Sequence, residues 1–411
     1  MRLADRAKGI LQNNEATFRT WIQNKQLIHP LATNRPSTIE FFCALRDICG
    51  PAAMTTSAAT EMLESRIGEA QHYVVIVVDG LGDCFRNSFL ENGFFDQAEK
   101  TPLVTGAPSS TAPMLTSFAT GTWPGEHGIT GWHTYFQEVQ RSLTVLPFSE
   151  RTTCIGGQQL DLSLHSLVPE ISWYPSRNRK ILSILPKKQI KSHFSRWARG
   201  DTEAAGYSSL KQAQKRIIAT VRCHTEPSLT YCYVPTIDRT AHRFGCTSLE
   251  VNHEIESIDI WLQELRNSLP NTARLLVLAD HGLIDTPADQ QYIIRDNDTV
   301  MRYLSAPPSG EAAMPVFHVI PGYESEFPAV FSQSVFSKDF ILLSNDQINR
   351  LNLFGPDPLS AIMRMHLGNY IGIAKEPAAL YYASQNHEIP NLKAIHGGLR
   401  KEEMFVTLYT A

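Results

Sequence analysis

The stretch RLLVLADHG, Arg274 to Gly282, is an apolar run that stops on an acid and a histidine, with a glycine directly behind them. A continuous apolar run bounded this way is the mark of a strand buried on both faces, as in a parallel sheet covered by helices. Neighbouring side chains on a strand point to opposite faces. Asp280 and His281 can therefore converge only where the chain already turns at the strand's carboxyl end, a turn that Gly282 is expected to permit. Alone, an Asp-His pair also reads as a solvated or salt-bridged loop. An oxygen donor beside a nitrogen donor equally suits a zinc ion.

Two more runs share the pattern, YVVIVV at 73–78 and LTYCYV at 229–234. Helical periods lie around them. One helix is expected to start at Thr247, where TSLE reads as a capping box with Glu250, and Val251, Ile255, Ile258, Leu262 and Leu265 keep one face apolar. Another covers SLKQAQKRIIATV, 209–221. The alternation implies an α/β fold with a largely parallel central sheet and helices on both faces. Residues 1–70 are expected to be mainly helical, with Leu3, Ala7, Ile10 and Leu11 on one face. The segments 137–206 and 287–370 interrupt the alternation, and the second is expected to form an inserted lid or small lobe.

The 411 residues carry a net charge of −4, which argues against a broad nucleic-acid footprint and leaves room for a small phosphorylated substrate. Seven cysteines without CxxC spacing read as reduced thiols. The amino terminus does not read as a signal peptide, and the longest apolar runs are too short to span a bilayer. A cytoplasmic protein without a membrane partner is the expectation. The oligomeric state is not legible.

Each strong strand ends on something polar. VVIVVDG ends on Asp79, TYCYVPTIDRTAH delivers Asp238 and His242, and the third run delivers Asp280 and His281. In open α/β sheets ligands bind beyond the carboxyl ends of the strands, so these tips should lie together. A D-x-x-x-H spacing places both side chains on one side of a helical turn. KAIHGGL adds His396. Three aspartates and three histidines suffice for two zinc ions or other divalent metals. Lone histidines such as His72, His165, His193, His253 and His318 are read as ordinary. APSSTAPMLTSFATGTWPGEHGI, 107–129, brings three hydroxyls, Ser109, Ser110 and Thr111, to the start of a small-residue helix running to Gly121. That helix start is a ready anion site, and a hydroxyl coordinated to zinc there would ionise more easily and attack phosphorus.

The motifs VVDG, SSTAPMLTSFATG…PGEHGI, DRTAH, ADHG and HGG occur in the order and spacing of the alkaline phosphatase superfamily. The chain most resembles its nucleotide pyrophosphatase/phosphodiesterase branch, over about 73–407. The resemblance implies an alkaline phosphatase-like catalytic domain at 71–411 and a zinc-dependent hydrolase of phosphodiester or pyrophosphate bonds in nucleotide-type substrates. It implies a phosphothreonine intermediate on Thr111, one zinc held by Asp238, His242 and His396, and the other held by Asp79, Asp280, His281 and Thr111.

The chain departs from the family by reading Thr-Ala-Pro-Met-Leu from Thr111 to Leu115. It also places Trp132 where family members carry a phosphate-binding asparagine, so Trp132 becomes a candidate substrate contact. Leu115 stands where a sulfatase would need arginine. No arginine or lysine lies between Leu103 and Gln140, which favours a singly charged diester, although Arg239 and Arg243 could supply a cation. The alternatives are a phosphomonoesterase on the same scaffold, or a non-catalytic protein that binds metal and phosphate.

Overall fold

The computed structural model describes residues 3–50, 57–168, 172–174, 178–384 and 391–411. At its centre lies a sheet of seven strands: β1 (His72–Val78), β2 (Glu99–Val104), β3 (Lys180–Pro186), β4 (Glu203–Tyr207), β5 (Ser228–Val234), β6 (Ala273–Leu278) and β7 (Phe405–Thr410). They lie in the order β2-β7-β6-β1-β5-β3-β4, and only β7 runs against the others. Every residue of β1 and β5 is buried, as two-faced coverage by helices requires. The register pairs Val78 with Val234 and Val77 with Leu278, so β5, β1 and β6 end level with one another. This is the α/β fold expected, and the level ends decide where the site lies.

The segment 137–206 rejoins the central sheet as β3 and β4. Lys180 and Ser183 break the apolar run of β3, and β4 lies at the sheet's edge with most residues half-exposed, which removes the two-faced signature. The helix expected from Thr247 starts later, at Leu249, with Ser248 as its cap: the Ser248 side chain accepts from the Val251 N–H. Glu250 therefore sits in the first turn without closing a capping box on Thr247.

A second seven-stranded sheet is antiparallel throughout. Its order is Phe340–Ser344, Tyr370–Ala374, Pro315–Phe317, Ser309–Gly310, His133–Phe136, Arg141–Thr144, Ser149–Glu150. Strands from 309–374 thus join a hairpin at 133–150, and the seam pairs Gly310 with His133. A Cβ on Gly131 would lie 2.6 Å from the Gly310 carbonyl carbon, so only glycine permits this approach.

The amino-terminal helix Leu3–Gln23 lies on the second sheet, where Asn14 donates to the Leu342 carbonyl at 3.0 Å and Gln347 donates to the Leu11 carbonyl at 2.8 Å. The next helix, Thr38–Cys49, packs Phe42 against Phe118, ring centroids 5.0 Å apart. Residues 1–2 and 51–56 of this helical segment lie outside the described residues. Among the described residues no helix is long and apolar enough to cross a membrane.

Candidate active site

Asp79 follows β1 directly. Gly80 behind it has φ +77°, and a Cβ there would meet Leu283 at 2.7 Å and the Asp238 Cα at 3.1 Å. Left-handed backbone and close approach both demand glycine. After β5 the chain enters the helix Thr236–Phe244, with Asp238 in its first turn and His242 in its last. The Asp238 N–H donates to the Asp79 carbonyl at 3.1 Å, tying the two strand ends together. Asp280 and His281 follow β6. Gly282 serves differently from expectation: its φ is not left-handed, but a Cβ would sit 2.0 Å from the Glu402 carbonyl oxygen. Close packing, not turn freedom, requires it.

Two groups of donor atoms result, each with its atoms within 4.8 Å of one another: Asp79, Asp280 and His281, and Asp238, His281 and His396. His281 belongs to both. Its Nε2 lies 3.3 Å from Asp79 Oδ1 and 3.8 Å from Asp280 Oδ2. Its ring stacks on His396 at 3.9 Å between centroids. Asp238 Oδ1 lies 3.2 Å from His242 Nε2 and 3.7 Å from His396 Nε2. The six residues collected from the strand ends therefore share one site, with His242 at its edge and His281 between the groups.

The three hydroxyls separate cleanly. Thr111 Oγ1 lies 3.0 Å from His281 Nε2 and 3.5 Å from Asp79 Oδ1, at the start of the buried helix Thr111–Thr120. Ser109 donates to the Gly398 carbonyl at 2.8 Å and accepts from the Gly397 N–H at 3.1 Å, stapling this loop to the one that carries His396. Ser110 donates to Glu311. Of the three, Thr111 alone reaches the donor groups.

The charges are unbalanced. Burial, and then the charges of Asp238 and Asp280, push Asp79 well above the usual carboxylate range. Burial also raises Asp280. Burial would raise Asp238 too, but His242 holds it low, while Asp238 in turn lifts His242 against its own desolvation. Burial and the charge of His281 depress His396. Among the described residues, Asp280 Oδ2 and His396 Nδ1 are buried without a hydrogen-bond partner. Buried polar groups are normally paired. Carboxylates crowded in this way, with free donor atoms, fit a site for cations.

Several site residues escaped the sequence reading. Tyr233 donates to Asp79 Oδ2 and so turns Oδ1 toward Thr111 and His281. Its only signal was its place near the end of β5. Glu311 is buried beside the loop of Ser109–Thr111, and its Oε1 accepts from the Ser110 hydroxyl and the Trp132 N–H. Burial pushes its carboxyl up to about 7. A Cβ on Gly397 would meet Glu311 at 2.5 Å, so the loop glycine after His396 makes room for it. Thr111 and Glu311 line a cavity that Arg151, outside the stretch free of basic residues, lines as well. Trp132 is half-buried in that wall, and Arg239 borders the cavity from an exposed position. Arg243 is exposed and lies over the Phe244 ring, 4.9 Å from its centroid.

A largely parallel sheet with acid and histidine donors at its strand ends, beside a hydroxyl at a helix start, is the arrangement of the alkaline phosphatase superfamily. Residues 73–314 match the type I phosphodiesterase/nucleotide pyrophosphatase family, and the chain belongs to that family. An uncharacterized pyrophosphatase/phosphodiesterase of Schizosaccharomyces pombe is 25% identical over 250 residues, 54% of this chain and 47% of that protein. The match thus spans about half the length of that relative.

Among solved structures, murine ectonucleotide pyrophosphatase/phosphodiesterase 5, in an inactive form with AMP, superimposes with a TM-score of 0.60 at 14% identity. The superposition covers 82% of this chain and 87% of the murine one. Phosphonoacetate hydrolase from Sinorhizobium meliloti, in complex with phosphonoformate, gives 0.57 at 17% identity, covering 82% and 89%. At these identities the likeness is one of fold.

Proposed function

We propose that this chain hydrolyses phosphodiester or pyrophosphate bonds in small, nucleotide-type substrates, using Thr111 as nucleophile. The observation that carries the reading is the 3.0 Å approach of Thr111 Oγ1 to His281 Nε2, the residue common to both donor groups. Family membership supports the reaction class, and the relatives solved with AMP and with phosphonoformate support a small phosphorylated ligand.

The donor sets fit two divalent cations, zinc by their mix of oxygen and nitrogen: Asp79, Asp280, His281 and Thr111 would hold one, and Asp238, His242 and His396 the other. Bound there, the cations supply positive charge that eases ionisation of a hydroxyl and offsets charge on the phosphoryl oxygens. The chain itself does the rest. Tyr233 fixes Asp79, the Ser109 staple fixes the loop of Thr111 against that of His396, and the helix start places backbone N–H groups beside the phosphoryl group. Thr111 Oγ1 bonds to phosphorus as the ester or anhydride oxygen leaves and takes up a proton. Water then attacks the phosphothreonine, adding its oxygen to phosphorus and restoring the Thr111 hydroxyl.

Glu311 favours a diester over a monoester, because an acid on this wall disfavours a phosphoryl group with two negative charges. Trp132, whose N–H is tied to that acid, packs against the second organic group. Seven unpaired thiols support a cytoplasmic location. The test is to measure bound metal and turnover of a matched aryl nucleotide diester and aryl monoester by purified protein. Active protein with less than one equivalent of metal would sink the two-cation site, and a preference for the monoester would sink the substrate class.

A further inference from the structure

The cavity above Thr111 holds about 810 Å³, far more than a phosphoryl group fills, and its two ends differ. One end runs between the nucleophile helix and the central sheet, past Leu115, Phe118, Leu185 and Phe194. The other is walled by the second sheet and its loops, and there Arg151 stands. Its Nη1 donates to the Pro308 carbonyl, and its guanidinium carbon lies 5.3 Å from the centre of the Tyr382 ring. Among the described residues its other nitrogens have no hydrogen-bond partner, and no carboxylate lies within ion-pair distance of it. Burial pushes the guanidinium down to about 10.

Arg151 is half-buried, and a cation held there without an ion-pair partner among the described residues is costly. Glu311, whose charge acts on Arg151 across the cavity, has its carboxylate engaged by Ser110 and Trp132. Of the other cations bordering the cavity, Lys188 and Arg239 are exposed, where water screens them, and half-buried Arg199 donates through Nη1 to the Thr202 carbonyl on the side of the central sheet. Arg151 is thus a pre-placed fork of donors open to the cavity, the geometry that takes carboxylate or phosphate oxygens in pairs.

We propose that Arg151 is a specificity residue that binds a second anionic group, carboxylate or phosphate in type, on the substrate arm extending from the reacting phosphorus toward the second sheet. The substrate class is then a phosphodiester or pyrophosphate with a further negative charge on one arm. This rests on the hydrolase reading given above. The rival role is structural, with Arg151 merely tying the 151 turn to Pro308.

Three p-nitrophenyl phosphodiesters separate these roles, because they share a leaving group and differ only in the second arm: ethyl, 2-carboxyethyl and 2-phosphonoethyl. The native chain should show kcat/KM about tenfold or more higher for an anionic arm, the gain of one bidentate charge-assisted contact. The better of the two anionic arms identifies the anion. Arg151→Gln, which can still donate to Pro308, should erase that advantage through KM and leave the ethyl ester within about twofold. Arg151→Lys should retain part of it.

Equal rates for all three arms in the native chain would overturn the proposal, as would an equal loss on all three in Arg151→Gln. If none of the esters turns over, the hydrolase reading fails. Calorimetric binding of the same esters then reads the arm preference without turnover, and loss of tighter anionic-arm binding in Arg151→Gln sustains the proposal while its absence ends it.

Discussion

The two seven-stranded sheets divide the site between them, and they place their residues by different means. The central sheet sets Asp79, Asp238, Asp280 and His281 at or just beyond the level ends of β1, β5 and β6, a few covalent bonds from buried strands. The second sheet sets Glu311, Trp132 and Arg151 on the opposite wall. That depends on the pairing of Gly310 with His133 and on the contact of Gly131 with Gly310. The first arrangement is local, whereas the second depends on pairing between segments distant in sequence. On the proposed reading, the bond-making groups lie beyond the central sheet and the groups that select the substrate lie on the second.

The largest effects should therefore come from Thr111 and the donor groups gathered beyond the central sheet. Thr111→Ala, Asp280→Ala and His396→Ala are each expected to lower kcat by about 10³-fold or more, the scale of losing a nucleophile or its activation. Ser109→Ala and Ser110→Ala should cost far less. The comparison breaks if a second-sheet variant such as Arg151→Gln proves equally damaging toward a neutral-arm diester. Phosphate trapped on a serine peptide in mass spectrometry would remove Thr111 from its assigned role.

Metal removal tests the same half of the molecule through stability. The raised carboxyls of Asp79 and Asp280 show how poorly the bare cluster balances its charge. A cation at a hundredfold its dissociation constant would stabilise the fold by about 2.7 kcal/mol. Exhaustive chelation should lower the melting temperature by several degrees and abolish turnover, and zinc should restore both. An unchanged melting curve after chelation, with metal shown absent, would mean the donor groups are not a cation site.

The sequence showed the first half of this division well and the second poorly. Asp79, Asp280 and His281 were legible because each directly ends an uninterrupted apolar strand, and His242 because it follows Asp238 by one helical turn. β3 and β4 were not, because Lys180 and Ser183 break the run of one and exposure marks the other. Glu311 had no assignable role: it lies in a loop of the inserted segment, and the pairing of Gly310 with His133 brings it to Ser110. Arg151 lies outside the stretch from Leu103 to Gln140, and nothing in its spacing ties it to Thr111. Period and spacing report what a segment does by itself, whereas register between distant hairpins is a property of the folded chain.

A smaller effect probes the wall's electrostatics. Glu311→Gln keeps an acceptor for Ser110 and Trp132 and removes the charge. With the carboxyl pushed up to about 7 by burial, Glu311 is neutral well below that pH and ionised above it. The native ratio of diester to monoester kcat/KM should therefore rise as pH climbs through 7. In Glu311→Gln the rise should vanish, leaving a ratio about tenfold lower at pH 8.5, or about 1.4 kcal/mol of discrimination. The same pH dependence in both proteins would show that Glu311 does not set substrate charge.

The smallest effect belongs to Trp132. Its N–H is fixed by Glu311, so truncating the side chain should leave the backbone, and with it the acid, in place. What is lost is apolar contact with the second organic group of a diester. An indole that stays half-buried in a cavity wall can remove only part of its area from water on binding, on the order of 1 kcal/mol. Trp132→Ala should accordingly raise KM for an aryl nucleotide diester about fivefold while kcat changes little, since contact made equally in ground and transition states moves KM alone. The matching aryl monoester, which lacks the second group, should respond by less than twofold. Equal losses on both esters would make Trp132 a packing residue of the second sheet, and loss in kcat rather than KM would place it among the groups that act on the reacting phosphorus.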